Sequence, residues 1–174
     1  SILIIAFKGW SDAAEAATSA VDTIIKNYDS KKFASFEEEE FFAFARERPN
    51  IKNSKDGRIL EWPNNDLYYI QDAIDNTPLI IMNGTEPHFK WKTFSKEVID
   101  LCLSMNVTSV VTLGALLDSI PHTRGVKTQI TGQHEFMPEG FTQKKIGPSK
   151  YEGPTGITSV IIEDFKKIGI PSMS

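Results

Sequence analysis

The chain has little of what would announce a chemistry. Cysteine occurs once, as Cys102, so no internal disulfide can form and no Cys-x-x-Cys zinc or redox site exists. A lone thiol suits a reducing compartment, and the expected location is cytoplasmic. Histidine is scarce too: His88, His122 and His134 show none of the close spacing that holds zinc, so no metal site is expected. Positive charge is not in excess, with 19 Lys and Arg against 23 Asp and Glu for a net charge of -4 and a pI near 5.4. That excludes a dedicated nucleic-acid binder and a polybasic membrane anchor. The opening apolar run, residues 2–7, is too short to span a bilayer or serve as a signal peptide. Neither Gly-x-x-x-x-Gly-Lys nor Gly-x-Gly-x-x-Gly occurs, which leaves a nucleotide without a phosphate cradle, and no cofactor is expected. Repeats, heptads and low-complexity tracts are also missing, which sets aside solenoids and coiled coils.

What is present is a chain of 174 residues, 40% apolar, enough for one globular domain over 1–174 with a real core. It opens without methionine on a strand and closes where another strand starts, so it reads as a fragment cut at both ends. Val107, Val110, Val111 and Leu113 form a β-branched run that stops at Gly114, the pattern of a buried parallel strand. Residues 2–7 and 79–82 read the same way. Ser11 or Asp12 caps a helix over 13–27 whose Ala17, Val21, Ile24 and Ile25 share a face. Thr85-Glu86-Pro87 reads as cap and early proline of a second helix, along which Phe94, Val98, Leu101, Cys102 and Met105 fall at helical spacing. Residues 33–36 form a shorter strand. Residues 58–62 and 66–71 look like a hairpin joined by Pro63-Asn64-Asn65. Residues 127–131 read as a strand, 136–149 as an exposed loop, and 157–165 as an amphipathic helix after the turn at 151–156.

Strand, turn and helix thus recur from 2, 79, 107 and 151. The expected fold is a three-layer α/β/α domain on a mostly parallel sheet with an antiparallel excursion. Right-handed parallel connections place their loops on one edge, so the turns marked by Gly9, Gly84, Gly114 and Gly153 should converge there, where α/β sheets bind ligands and partners. That edge gathers Asp12, Glu86, His88, His122, Arg124 and Glu152. A carboxylate beside an imidazole can do acid/base work, and Glu86, His88, His122 and Arg124 are the candidates for it. The competing reading is structural: Glu86 in the first turn of a helix suits the dipole alone, and Pro87 fits there for backbone reasons. Structural or interface use ranks ahead of catalysis. The nucleophile candidates Ser11, Ser119 and Cys102 lie in no Gly-x-Ser-x-Gly elbow. A small anion at the helix start after Gly84 or Gly153 is conceivable on the free N–H groups there. Phe41, Phe42, Phe44, Trp10 and Trp91 suit either an oligomer interface, with Arg46 and Arg48 as its polar rim, or ordinary core packing. The acidic run 37–40 reads as a solvated loop or a docking strip.

The same loops carry a resemblance. Phe7-Lys8-Gly9-Trp10-Ser11-Asp12-Ala13, Gly84-Thr85-Glu86-Pro87-His88-Phe89-Lys90-Trp91, Thr112-Leu113-Gly114-Ala115-Leu116-Leu117, Pro121-His122-Thr123-Arg124 and Tyr151-Glu152-Gly153-Pro154-Thr155-Gly156 resemble the prokaryotic branch of the proteasome assembly chaperone 2 family. The resemblance implies a phosphorylase/hydrolase-like α/β fold and self-association into small homo-oligomers, trimers or similar. It also implies a cytosolic role tied to proteasome assembly; with no complete catalytic motif present, the leading expectation is a non-enzymatic protein whose partner is a proteasome subunit. The resemblance supplies no catalytic set, only a fold and a class of role. From the loop edge itself, Trp10, Asp12, Glu86, Pro87, His88, Trp91, His122, Arg124, Glu152 and Thr155 are the candidate binding or interface positions. Two departures stand out: Ala14 where many relatives have glycine, and the absence here of a largely helical C-terminal region. The alternative function is a small-molecule enzyme of phosphorylase/hydrolase type acting at the loop edge.

Overall fold

The computed structural model describes residues 1–36, 38–74, 76–126, 128–132 and 151–174. In chain order its elements are β1 (Ile2–Lys8), a 3-10 turn (Ala13–Glu15), α1 (Ala16–Asn27), β2 (Lys31–Ser35), α2 (Glu38–Phe41), β3 (Asn50–Ser54), β4 (Gly57–Glu61), β5 (Asn65–Ile74), β6 (Thr77–Thr85), α3 (Trp91–Ser104), β7 (Ser109–Leu113), α4 (Ile157–Lys167) and β8 (Ser172–Met173). Six strands form one sheet in the order β2-β5-β6-β1-β7-β8. β6, β1, β7 and β8 run parallel to one another, while β5 and β2 are antiparallel additions at one side.

Alternation along the strands sends side chains to two layers. Leu3, Ile5, Phe7, Ile80, Met82 and Val110 pack with Phe94 and Val98 of α3 and Ile157, Ile161 and Phe165 of α4. Ala6, Ile70, Leu79 and Ile81 face Ala17 and Val21 of α1 on the other side. This is the expected three-layer α/β/α arrangement, and each fully buried aliphatic or aromatic side chain in it contributes roughly 1.5–3 kcal/mol. Phe94 is the hub of the thicker layer, with ring centroids 4.9 Å from Phe36, 5.1 Å from Phe41 and 5.8 Å from Phe7. Phe41 and Phe42 are buried, which resolves the two readings of that aromatic run in favour of core packing.

Several local expectations are corrected. Residues 58–62 do not pair with 66–71: β4 pairs with β3 in a separate two-stranded sheet, while β5 pairs with β6 and β2. The tight turn at Lys55-Asp56, not Pro63-Asn64-Asn65, closes the hairpin, and Gly57 just after it, with φ +122, suits the reversal. The second helix starts at Trp91 rather than at Glu86, so Glu86 and Pro87 lie in the preceding loop. No helix follows β7 directly; Ala115 bridges to Asp12 and the chain runs on as an exposed segment. Of the strand expected over 127–131, residue 127 lies outside the described residues and 128–131 form no strand. Thr131 and Ser174 instead exchange two backbone hydrogen bonds of 2.7 Å, and Gly132 bridges Met173. The expected loop over 136–149 and His134 lie outside the described residues.

Candidate functional site at the carboxyl rim of the sheet

Register brings the loops together. Lys8 at the end of β1 stands opposite Thr85 at the end of β6, and Ala6 opposite Leu113 of β7. The chain therefore leaves three adjacent strands at Gly9, Glu86 and Gly114. Gly9 has φ +139, and a Cβ there would lie 3.0 Å from the Glu86 Cβ and 3.1 Å from its Oε2, so only glycine lets the two loops approach this closely. Gly114 sits against Ser11, whose carbonyl accepts from the Ala115 N–H at 2.7 Å, while the Ala115 carbonyl accepts from the Ala13 N–H at 3.0 Å. On the α4 side the close approach is made by Gly156, where a Cβ would meet Glu86 Oε1 at 3.0 Å and Ser11 Oγ at 3.2 Å. Gly153 faces its own loop, against the Tyr151 hydroxyl, and Gly84 lies inside the end of β6 against Asn65.

Glu86 is the clasp of this rim. Its Oε2 accepts from the Trp10 N–H at 3.2 Å and its Oε1 from the Ile157 N–H at 2.9 Å. Ile157 opens α4, where the first N–H groups lack intrahelical partners and a carboxylate is favoured. Glu86 thus caps a helix, but one 71 residues away in sequence. Asp12 does the same for α1: its buried carboxylate accepts from the Ala17 N–H at 2.7 Å, the Thr18 N–H at 3.3 Å and the Thr18 hydroxyl. It reaches that far along because Ala14 and Glu15 both take left-handed backbone conformations, φ 55 and 56, which inserts an extra turn ahead of the helix. His88 is also committed. Its Nδ1 accepts from the Ala43 N–H at 3.2 Å, which places the proton of the neutral ring on Nε2, and its backbone N–H donates to Phe41 at 2.8 Å. These bonds pull the 41–47 turn up to the rim. Trp91 donates its indole N–H to the Pro87 carbonyl at 2.5 Å.

Together these loops wall an open cleft of 680 Å³. Of the positions singled out from sequence, Trp10, Asp12, Glu86, Pro87, His88, Trp91 and Thr155 line it. Trp10 is 66% exposed over it. His122, Arg124 and Glu152 do not line it. His122 and Arg124 belong to the segment after β7, where Leu116, Leu117 and Val126 are 82%, 89% and 94% exposed. Without a helix to return the chain across the rim, that segment leads away. Sequence reasoning missed Lys8, Ala14, Glu15, Glu47 and Thr85 as cleft residues, and read Arg46 only as a rim residue. Lys8 and Thr85 could have been found as the last residues of their strands. Arg46 and Glu47 could not, since the bonds from His88 that bring them there are long-range.

Chemically the cleft is quiet. Its two best acids are held by backbone amides, Lys8 pairs with Glu47 at 3.3 Å, and Arg46 has no charged partner among the described residues. Ser119 bonds through its own N–H to Asp118 at 2.7 Å, and no triad forms around it among the described residues. Cys102 is buried in the core, and burial pushes its thiol up to about 12, far from the thiolate that a nucleophile needs. Among the described residues no group of three or more His, Cys, Asp or Glu side chains is placed to hold a metal, and no helix is long and apolar enough to cross a membrane.

Comparison with known proteins gives this rim a context. The model of the PAC2 family matches residues 6–174. A PAC2 family protein from Streptomyces avermitilis is similar at 31% identity and TM-score 0.85, over 99% of this chain and 73% of that one. A proteasome-assembly chaperone homologue from Mycobacterium tuberculosis is similar at 30% identity and TM-score 0.85, over 99% of this chain and 72% of that one. PbaA of Pyrococcus furiosus, an archaeal homologue of proteasome-assembly chaperone, shares the fold at 14% identity and TM-score 0.58, over 99% and 69% of the two chains. No curated protein sequence matches. With the family model covering nearly the whole chain and two relatives at or above 30% identity, the chain belongs to the PAC2 family.

Proposed function

We propose that the protein is a non-enzymatic assembly chaperone that works as a homo-oligomer in the cytoplasm and offers the rim cleft to an extended segment of a proteasome subunit. The observation that carries this reading is the employment of the cleft's acid and base groups. Glu86, Asp12 and His88 are each aimed at the protein's own groups, Glu86 and His88 at main-chain N–H groups and Asp12 at two main-chain N–H groups and the Thr18 hydroxyl, which hold the loops together. A general base must instead be aimed at the proton that it takes from a substrate. What the cleft leaves free is the kind of surface that anchors a polypeptide: an exposed indole at Trp10 and the guanidinium of Arg46, without a charged partner among the described residues, the side chains that dominate binding hot spots. Two relatives carry names that tie them to proteasome assembly, which supplies the partner class.

The test is capture. Full-length protein immobilised in an extract of its own source organism should retain proteasome subunits, identified by mass spectrometry. Trp10→Ala should reduce that retention at least about tenfold, as truncating an interface aromatic does. Because the ring is mostly solvent-exposed, thermal stability should change by less than about 0.5 kcal/mol. Recovery of no proteasome component by the wild type would overturn the partner assignment.

A further inference from the structure

The β3–β4 hairpin is the least supported part of the chain. All ten of its residues are exposed, and it forms a sheet of its own apart from the six-stranded one. Its base is anchored where Trp62 meets Phe44 edge-on at 4.8 Å. A two-stranded ribbon of this kind is marginal in water without something packed on it. The cross-strand register makes its two faces unlike. Ile51 stands opposite Leu60 and Asn53 opposite Arg58 on one face, and alternation adds Trp62 to it. Ile51, Leu60 and Trp62 are 63%, 54% and 41% exposed, and Arg58 has no partner among the described residues. The other face carries the Lys52–Glu61 ion pair at 2.6 Å, with Ile59 opposite Lys52 and 49% exposed. That face is part charged with one isolated large apolar side chain, whereas the first gathers three apolar side chains with a cation near its tip.

The same chain carries the complement. Between edge strand β2 and α3 lies a pocket of 260 Å³ whose walls are Ala34, Phe36, Leu67 and Leu101, with Glu97 at its edge. The lysines around Glu97 are engaged elsewhere: Lys90 with Glu40 at 3.1 Å and Lys96 with Asp100 at 2.6 Å. Burial, followed by the like charge of Glu40, holds the Glu97 carboxyl above its ordinary value, and the nearby Lys90 and Lys96 offset this only in part. The charge balance runs the same way along the whole arm. Over residues 48–62, Arg48, Lys52, Lys55 and Arg58 outnumber Asp56 and Glu61, so the remainder of a chain at -4 is more acidic still.

We infer that the hairpin of one copy seats Ile51 and Leu60 in the β2–α3 pocket of a second copy, with Arg58 paired to Glu97 across the contact. The inference rests on the self-association proposed above and names the surfaces that make it. It also covers β2, the outer strand of the sheet, and edge strands are otherwise prone to unwanted pairing. The two surfaces differ, so each copy contributes one of each.

The experiment is a charge swap on the full-length protein, read by size-exclusion chromatography with light scattering across a dilution series. Arg58→Glu and Glu97→Arg should each weaken self-association at least about tenfold, as removing one partner of an interfacial ion pair does. The double variant Arg58→Glu/Glu97→Arg should recover most of it, and Leu60→Asp should not be rescued by either. Circular dichroism should be unchanged, since all three positions are exposed, and so should thermal unfolding when it is compared at a dilution where every variant and the wild type are monomeric. If the wild type associates and the single variants associate equally, or the double variant fails to recover, the hairpin assignment falls while self-association stands. If the wild type is a monomer throughout, both fall, and capture of proteasome subunits through Trp10 remains a separate question with its own readout.

Discussion

Ala14 holds a left-handed backbone, φ 55 and ψ 28, at the lip of the cleft, and a Cβ in that region costs roughly 1–2 kcal/mol. Glycine would remove that cost while giving back about 0.4–1 kcal/mol of chain entropy to the unfolded state. Ala14→Gly should therefore stabilise the protein by about 0.5 kcal/mol, within these margins, measurable as a higher urea midpoint at unchanged slope. A lower midpoint would mean that this turn is not left-handed in solution. The position was legible in the sequence as a departure from the family pattern, though nothing local announced the conformation. Glu86 shows the opposite limit. Its chemistry was readable, a carboxylate at a helix start, but the helix it caps is α4 and not the next one along. A rule built on neighbours in sequence cannot find a partner supplied by tertiary folding.

At the scale of elements, the parallel strands and the helices behind them were readable because burial imposes their periodicity. That there is an antiparallel excursion was readable as well, but its pairing was not, since strand identity near residues 58–71 is clear while pairing depends on which turn closes, and Gly57 decided it. Contacts between helices lay equally out of reach. Asp164 of α4 accepts from the Lys167 ammonium at 2.6 Å and from the Ser95 hydroxyl of α3 at 2.7 Å. Those two bonds, Lys167 first, hold its carboxyl below the ordinary value against an opposing contribution from burial. A carboxylate whose folded value is depressed binds its proton less readily in the native state. Its stabilisation is fully present above the unfolded value near 4 and disappears as the pH falls through the lowered one. Asp164→Asn should cost about 0.5–1.5 kcal/mol at neutral pH, the worth of a hydrogen bond or two. The gap to wild type should close on acidification, followed by urea unfolding from pH 7 downward. A gap that persists unchanged in acid would show that the loss is steric and not ionic.

At the scale of the molecule, parallel connections leave their loops on one side, and seven of the ten binding or interface positions drawn from the sequence line the cleft there, while His122, Arg124 and Glu152 do not. The sequence could not place the hairpin, whose exposure is a property of what the rest of the chain leaves uncovered. The cleft and the hairpin are distinct surfaces, the first built from the ends of β1 and β6 and the second standing apart on its own two strands. Well-separated sites without shared partners contribute almost independently, within about 0.5 kcal/mol, or roughly twofold in affinity. A monomeric Arg58→Glu chain should therefore bind an isolated proteasome subunit in solution within about twofold of the wild type. On a surface bearing many copies of that subunit it should lose the slow dissociation that several linked cleft sites provide, because avidity requires the sites to be joined. Surface plasmon resonance with the subunit first as analyte and then as dense ligand separates the two. Equal losses in both formats would mean that the hairpin itself touches the subunit, and the two surfaces would have to be treated as one binding site.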